Sequence, residues 1–334
     1  MNIRQHILEL AKKNKGKIVM PEGFDVRVLK AAQKLIKDSI ASVVLPTDDL
    51  KRVEKVAYEA NVDLRDVEVI KIDRDILDKE KIKDFVDART KKGTITKEEA
   101  LNLLKNPLYF SMMYLKSGNC DVCVGGAVYD TADVLRAGIH VVGTVENIKM
   151  ISSYFLMIPP EGHSLAKDPI IFADCAVNPD PQAAGLKDIA VATVESFKKL
   201  FPDKKANVAM LSFSTKGSAN NKILLKVQEA TELVKSHFAG RNDINVDGEL
   251  QFDAAVVPNI GKRKAPDSLV AGNANILIFP DLNASNIGYK IAERYGGFQA
   301  IGPVIQGLAL PVSDLSRGSS SDDIYLISAV MLLR

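Results

Sequence analysis

Lys17-Ile18-Val19-Met20-Pro21-Glu22-Gly23 is a short apolar run cut off by Pro-Glu-Gly, the mark of a strand that ends in a turn. Residues 26–37 follow with apolar side chains at helical spacing, and residues 41–45 read as a second strand. Two strands separated by a helix of about ten or more residues form a crossover unit, which requires parallel pairing. The alternation extends both ways from there. Residues 3–13 carry an amphipathic helix pattern, 50–60 a helix, 67–72 a strand, and helical stretches over 81–115 lead to a strand at 121–124 and the turn Gly125-Gly126. Strands at 170–173, 207–213 and 274–280 then alternate with helices at 185–200, stopped by Pro202, and 221–237, followed by Gly240.

This pattern predicts an α/β protein of two domains, each a mostly parallel sheet flanked by helices. Residues 1–150 form the first domain and 151–304 the second. The chain returns to the first over 305–334, because the last apolar helix needs a sheet to cover. No fixed-period repeat, low-complexity tract or flexible linker interrupts the series.

A chain of 334 residues is long enough for two such cores. Its 46% hydrophobic and 26% charged residues are those of a soluble globular protein. A net charge of +2 excludes recognition of nucleic acid through a broad basic face, so a polyanionic ligand must be met by a few placed Arg and Lys. Cys120, Cys123 and Cys175 are an odd set with no disulfide framework, which fits a reducing cytoplasm. The N-terminus shows no signal-peptide pattern, and no apolar run reaches the length of a membrane span. A cytoplasmic protein with no membrane partner is expected.

Gly-x-Gly-x-x-Gly, Gly-Lys-Ser/Thr and His-Glu-x-x-His are all missing, which counts against a Rossmann dehydrogenase, a P-loop kinase and a zinc hydrolase. Cys120-x-x-Cys123 begins a strand, where positions three apart face opposite sides. Without a second pair, these read as core thiols rather than a metal site.

Chemistry concentrates where polar, glycine-containing segments close apolar runs. Near the C-terminus the chain reads Asp314-Leu315-Ser316-Arg317-Gly318-Ser319, and Asp322-Asp323 open a final apolar helix. A hydroxyl, a guanidinium and a carboxylate at a loop-to-helix junction can bind an anion, donate a hydrogen bond and accept a proton. The same residues also make ordinary N-caps and first-turn acids. Gly125-Gly126-Ala127-Val128-Tyr129-Asp130-Thr131-Ala132-Asp133, with Arg136 one turn into the next helix, fits two readings. One is a turn that lets a ligand approach backbone; the other is a tight turn with Thr131 as N-cap and Arg136 in solvent. Ser212-Phe213-Ser214-Thr215-Lys216-Gly217-Ser218-Ala219 gathers donors suited to a phosphate at the carboxyl end of a strand. Gly261-Lys262-Arg263-Lys264-Ala265-Pro266 is a basic run near a strand start. Pro280-Asp281-Leu282-Asn283-Ala284-Ser285-Asn286-Ile287-Gly288-Tyr289-Lys290 reads as an Asn-rich loop after a strand. Arg89 alone is a surface arginine near a helix end.

Together these segments resemble the phosphate acetyl/butyryl transferase family. The match is carried by Lys264 to Gly272, Asn286-Ile287-Gly288-Tyr289-Lys290, Gly302-Pro303, Gln306-Gly307-Leu308 and Asp314-Leu315-Ser316-Arg317-Gly318. Ser212 to Ala219, Tyr109-Phe110 with Met112-Met113, and Thr131-Ala132-Asp133 with Arg136 extend it over essentially the whole chain. Ser319, Leu310, Tyr129-Asp130 and Ala137 stand where the family usually has Cys, Lys, His-Ser and Pro. Around Arg89 only that residue and Lys92-Gly93 match.

The resemblance implies an isocitrate/isopropylmalate dehydrogenase-like superfold, with the active-site cleft between the two domains and a homodimeric assembly. It implies reversible acetyl transfer between acetyl phosphate and coenzyme A through a ternary complex, without a covalent acyl-enzyme, metal or permanently bound cofactor. Coenzyme A enters as a substrate. Asp323 matches the family's proposed thiol base, and Ser316 and Arg317 match residues that position the thiol and stabilise the transition state. Arg136 and Arg89 match arginines associated with substrate and coenzyme anions. Thr131, Ser214, Thr215, Lys216, Lys264 and Tyr289 complete the expected substrate contacts.

The chemistry is coherent except at one point. Coenzyme A carries about four negative charges and acetyl phosphate about two, so cationic side chains must converge locally. An ordinary Asp, however, titrates about four pH units below a thiol. Positive surroundings that lower the thiol narrow this gap, so thiolate stabilisation matters alongside Asp323 basicity. Other readings are a butyryl or propionyl transferase, a ligand-sensing transacetylase-like domain without catalysis, and a decarboxylating dehydrogenase of the isopropylmalate type. The intact Ser316, Arg317 and Asp323 set speaks against the second, and the lack of a metal-binding Asp cluster against the third.

Overall fold

The computed structural model describes residues 3–91, 93, 95–146 and 150–333. Lys92 and residues 147–149, next to the expected junction at 150, lie outside the described residues. Strands are β1 (Gly16–Val19), β2 (Ala41–Thr47), β3 (Glu68–Lys71), β4 (Val122–Gly125), β5 (Ser152–Ile158), β6 (Ile170–Ala173), β7 (Ala206–Leu211), β8 (Ile244–Leu250), β9 (Ile276–Ile278), β10 (Gln299–Gln306) and β11 (Val312–Asp314). Contacts divide the chain into two compact units, Met1–Glu146 with Leu308–Arg334, and Asn147–Gly307.

In the first unit the strand order is β3-β2-β1-β4-β11, and every neighbouring pair is parallel. The crossover read from Lys17 onward is present: β1 pairs with β2, and the helix Val26–Lys37 joins them. Asp25 caps that helix by accepting from the Arg27 N–H, which answers one of its free N-terminal donors. Val28, Leu29, Ala31, Ala32 and Leu35 form its buried face. Burying a Leu stabilises by about 1.5–3 kcal/mol, and Leu35→Ala would cost about 2–5 kcal/mol through the cavity left. The final helix, Ser321–Met331, buries Ile324 through Met331 and packs on Val26–Lys37. β11 lies beside β4 with Asp314 level with Gly125. That register brings the two polar loops that follow these strands next to each other.

The second unit has the order β10-β5-β6-β9-β7-β8. β6, β9, β7 and β8 pair in parallel, whereas β10 with β5 and β5 with β6 are antiparallel. The helices Ala183–Leu200 and Leu225–His237 pack against each other. Phe155, Phe172, Leu211, Leu250, Leu277 and Phe279 fill one core.

Of residues 280–290, expected to be a loop, 282–290 belong instead to the helix Leu282–Arg294. Asp281 explains the difference, because its carboxylate accepts the Ala284 N–H at 2.9 Å and starts the helix inside the Asn-rich run. The basic run ending at Lys264 likewise lies in a helix, Pro258–Lys264, with proline at its tolerated first position.

Cys120, Cys123 and Cys175 are free and buried. Burial pushes the Cys120 thiol up to about 12 and the other two well above the usual thiol range. Among the described residues, no helix is long and apolar enough to cross a membrane.

Candidate active site

Three ties hold the loop after β11 to the loop after β4. The Thr131 hydroxyl donates to Asp314 Oδ2 at 2.6 Å, and Arg317 Nη1 meets Asp130 Oδ1 at 2.8 Å. Arg27 supplies the third: Nη1 donates to the carbonyls of Arg317 (2.6 Å) and Ser319 (3.0 Å), and Nη2 to that of Ala127 (2.8 Å). Thr131 is therefore not the N-cap of its helix. Thr131–Ala137 begins one residue after Asp130, and Thr131 turns its hydroxyl inward to Asp314.

Glu22, fully buried, braces the same loop. Its carboxylate accepts the backbone N–H groups of Ala127 (2.9 Å), Val128 (2.7 Å) and Tyr129 (2.9 Å). Burial raises its pKa and outweighs those bonds, which act in the opposite direction. Asp314 is also fully buried, and among the described residues Oδ1 has no hydrogen-bond partner. Burial pushes its carboxyl up to about 7; the Thr131 bond opposes this, while the charges of Glu22 and Asp130 add to it. Gly126, at φ +99°, makes the fit possible. A Cβ there would fall 2.2 Å from Asp314 Oδ1 and 2.6 Å from the Leu315 nitrogen.

Ser316 and Arg317 occupy the exposed turn built on this base. Ser316 Oγ accepts the Gly318 N–H at 3.3 Å, and Arg317 keeps 73% of its side chain in solvent. Asp323 lies in the first turn of the helix Ser321–Met331. Its Oδ2 accepts from the Ser320 N–H (2.9 Å) and hydroxyl (2.8 Å), and the Ser320 hydroxyl accepts the Asp323 N–H at 3.1 Å. This is a complete capping box. Arg136 Nη1 pairs with Asp133 Oδ1 at 2.6 Å, and Arg89 Nε is buried with no partner among the described residues. The two arginines act on the same neighbours, Tyr109 and His140.

In the second unit, Ser214, Thr215, Lys216 and Lys264 come together but spend their donors internally. Glu249 Oε1 accepts from the Ser214 hydroxyl (3.0 Å) and the Gly217 N–H (2.8 Å). The Thr215 hydroxyl lies 3.3 Å from Gln251 Oε1. Lys216, at φ 49°, pairs with Asp247 at 2.8 Å, and Lys264 with Asp253 at 3.0 Å. Lys216 and Lys264 line a cavity of about 560 Å³ together with Lys235, Asp247 and Ser268. Tyr289 stacks on Phe155, with ring centroids 4.2 Å apart, and is part of the packing rather than this cluster.

Sequence reading missed Glu22, Arg27, Asp130 and Asp314 as parts of the site. The signal for Glu22 was its place in the turn closing β1; the others are visible only through the pairing of β4 with β11.

The chain belongs to the phosphate acetyl/butaryl transferase family, whose sequence profile matches residues 2–332. A phosphate acetyltransferase from Thermoanaerobacterium thermosaccharolyticum is 45% identical over 334 residues, covering 98% of each chain. The solved EutD phosphotransacetylase from Staphylococcus aureus is 39% identical and superimposes with a TM-score of 0.86, covering 99% of this chain and 98% of that one. A Salmonella typhimurium chain provisionally assigned as a 4-hydroxythreonine-4-phosphate dehydrogenase shares the fold alone, with a TM-score of 0.53 at 10% identity, over 96% of this chain and 99% of its own.

Proposed function

We propose that the protein transfers an acetyl group reversibly between acetyl phosphate and coenzyme A, in a ternary complex formed on the loops after β4 and β11. Membership of the family and relatives that are phosphate acetyltransferases favour acetyl over longer acyl groups. The observation that carries the reading at the level of residues is the docking of the Asp314–Arg317 segment on the loop after β4, Arg317 on Asp130 and Asp314 on Thr131.

In this reading a substrate phosphate draws Arg317 from Asp130. That exchange is easy, because an exposed ion pair is worth only about 0–1 kcal/mol. The coenzyme thiol loses its proton to Asp323, whose Oδ1 stays outside the capping box. The sulfur then forms its bond to the acetyl carbon, while the bond to the phosphate oxygen breaks and phosphate leaves with the electron pair. Arg317 and the Ser316 hydroxyl stabilise the negative charge that builds on the carbonyl and leaving oxygens. Arg136 lies five residues along the helix from Thr131, about 7–8 Å at 1.5 Å per residue, so it and Arg89 serve the more distant phosphates of the coenzyme. The positive field of these guanidinium groups favours the thiolate, which reduces the basicity asked of Asp323. In the second unit, Ser214, Thr215, Lys216, Lys264 and Tyr289 are further candidate ligand contacts; an anion that displaces Glu249 and Asp247 frees Ser214 and Lys216, and one that displaces Asp253 frees Lys264. No metal or resident cofactor takes part, two copies of the chain form the working unit, and the reaction runs in the cytoplasm.

Thioester absorbance of purified protein with acetyl phosphate and coenzyme A, without added metal, tests the reading. Failure to form acetyl-CoA overturns it, and a higher kcat/KM for butyryl phosphate moves the assignment to the longer acyl group. Light scattering reads the assembly.

A further inference from the structure

A second group of facing polar side chains in the first unit surrounds His140. The helix Thr131–Ala137 runs into a π-turn, Gly138–Val142, so His140 follows Arg136 by one helical turn. The Tyr109 oxygen lies 3.0 Å from His140 Nδ1. Burial holds the Tyr109 phenol above its ordinary range, against the pull of Arg89 and Arg136 and with help from Asp133. The phenol keeps its proton, and when it donates that proton to Nδ1 the neutral imidazole carries its hydrogen on Nε2. Burial, and then the charges of Arg89 and Arg136, disfavour the imidazolium form.

The charged groups packed round this site come from three helices. Lys79–Thr90 contributes Arg89, and its Lys81 and Asp84 act on Lys116; Pro107–Lys116 contributes that Lys116, whose Nζ donates to the Val141 carbonyl at 2.7 Å; Thr131–Ala137 contributes Asp133 and Arg136. Arg136 commits one nitrogen to Asp133, and the buried Arg89 Nε has no acceptor among the described residues. Two guanidinium groups, one shared with Asp133 and one with a buried donor unanswered among the described residues, and an imidazole with Nδ1 engaged make a cationic cluster suited to a phosphate.

We propose that His140 is an anion-recognition residue: with Tyr109 donating to Nδ1 it gives its Nε2–H to a phosphate group of coenzyme A held by Arg89 and Arg136, and as that phosphate binds it takes up a proton from solvent at Nδ1, the Tyr109 hydroxyl turning to accept it. The inference rests on the coenzyme A reading above. The phosphate offsets the two guanidinium charges that hold His140 neutral, so binding favours the imidazolium. By reciprocity, acidification that protonates His140 tightens binding.

The test is an NMR titration of the imidazole C–H signals, with His140→Gln identifying the His140 resonance among those of His6, His163 and His237. Saturating coenzyme A is expected to raise the His140 midpoint by about one pH unit, equivalent to about tenfold tighter binding to the protonated form. Dephospho-coenzyme A serves as the second probe; a smaller shift assigns the contact to the 3′-phosphate and an equal shift to the pyrophosphate, either in support. The ratio of calorimetric Kd values for coenzyme A, His140→Gln over wild type, is expected to grow about three- to tenfold from pH 8 to pH 5.5. Comparing the two proteins at each pH cancels the titration of the ligand itself. An unmoved midpoint, or Kd curves that run parallel across pH, overturns the proposal. If acetyl-CoA forms in the same samples while the midpoint stays fixed, only this inference falls. If coenzyme A shifts the midpoint but no thioester forms, the inference stands and the acetyl-transfer reading falls. If coenzyme A does not bind, both fall.

Discussion

Thr131 gives its hydroxyl to the Asp314 carboxyl across 2.6 Å, although one starts a helix after β4 and the other ends β11. The contact couples the two loops that carry the candidate chemistry. It also leaves a buried carboxyl oxygen unpartnered among the described residues at the base of the site.

Asp314 makes stability depend on pH. An unfolded Asp titrates near 3.9, whereas burial brings Asp314 to about 7 in the folded chain. Between those values the folded state holds the extra proton, so stability falls as pH rises from about 4 to about 7 and levels off above. Asp314→Asn removes this slope. Denaturant unfolding at pH 5 and pH 8 should show wild type losing on the order of 2–4 kcal/mol relative to the variant on going to the higher pH.

Asp323 has two possible jobs, and two substitutions separate them. Ser320→Ala breaks the capping box without touching the carboxylate. It should cost about 1 kcal/mol of stability and leave kcat within about twofold. Asp323→Asn should lower kcat about 10²-fold or more at a similar stability cost. Near-wild-type kcat in Asp323→Asn would reduce this residue to a helix cap.

Arg317 is tied to Asp130 by an exposed pair, so Arg317→Gln should change stability by less than about 1 kcal/mol while kcat drops about 10²–10³-fold. Asp130→Asn should act the other way on binding. Freeing the guanidinium should lower KM for acetyl phosphate, by no more than about fivefold. Steady-state kinetics beside thermal unfolding checks both.

Glu22 answers three backbone donors at once, and each buried donor left unsatisfied costs about 1–3 kcal/mol. Glu22→Ala should therefore destabilise by several kcal/mol or displace the 125–129 loop, with loss of activity. Glu22→Gln, which keeps one carbonyl acceptor, should fall between it and wild type in both unfolding and turnover.

The regular part of the first unit was legible because its signals are local. Helix Val26–Lys37 has the expected bounds, since Asp25 marks the start and the apolar period is strong. β10 was not read because Gly302 and Pro303 interrupt it; the register shifts between Ile301 and Val304 at that point. β8 was missed because Asp247 and Glu249 break its apolar pattern, although both are buried and paired with the Ser214–Lys216 loop. β5 is buried throughout, without the alternation of a half-exposed strand.

The site divided in the same way. Ser316, Arg317 and Asp323 were nameable because they crowd one segment. The Asp314–Thr131 and Tyr109–His140 contacts were not, because they join distant segments through packing that no local spacing records. The Ser214–Lys216 loop was read as a set of free donors, and buried carboxylates on β8 turned out to occupy them.

The burial of Cys120, Cys123 and Cys175 has a consequence for a protein that handles a sulfur nucleophile. Disulfide exchange needs an accessible thiolate, and these side chains offer neither access nor ionisation at neutral pH. Oxidised coenzyme A therefore finds no thiol to cap, and the chain's own cysteines stay chemically silent.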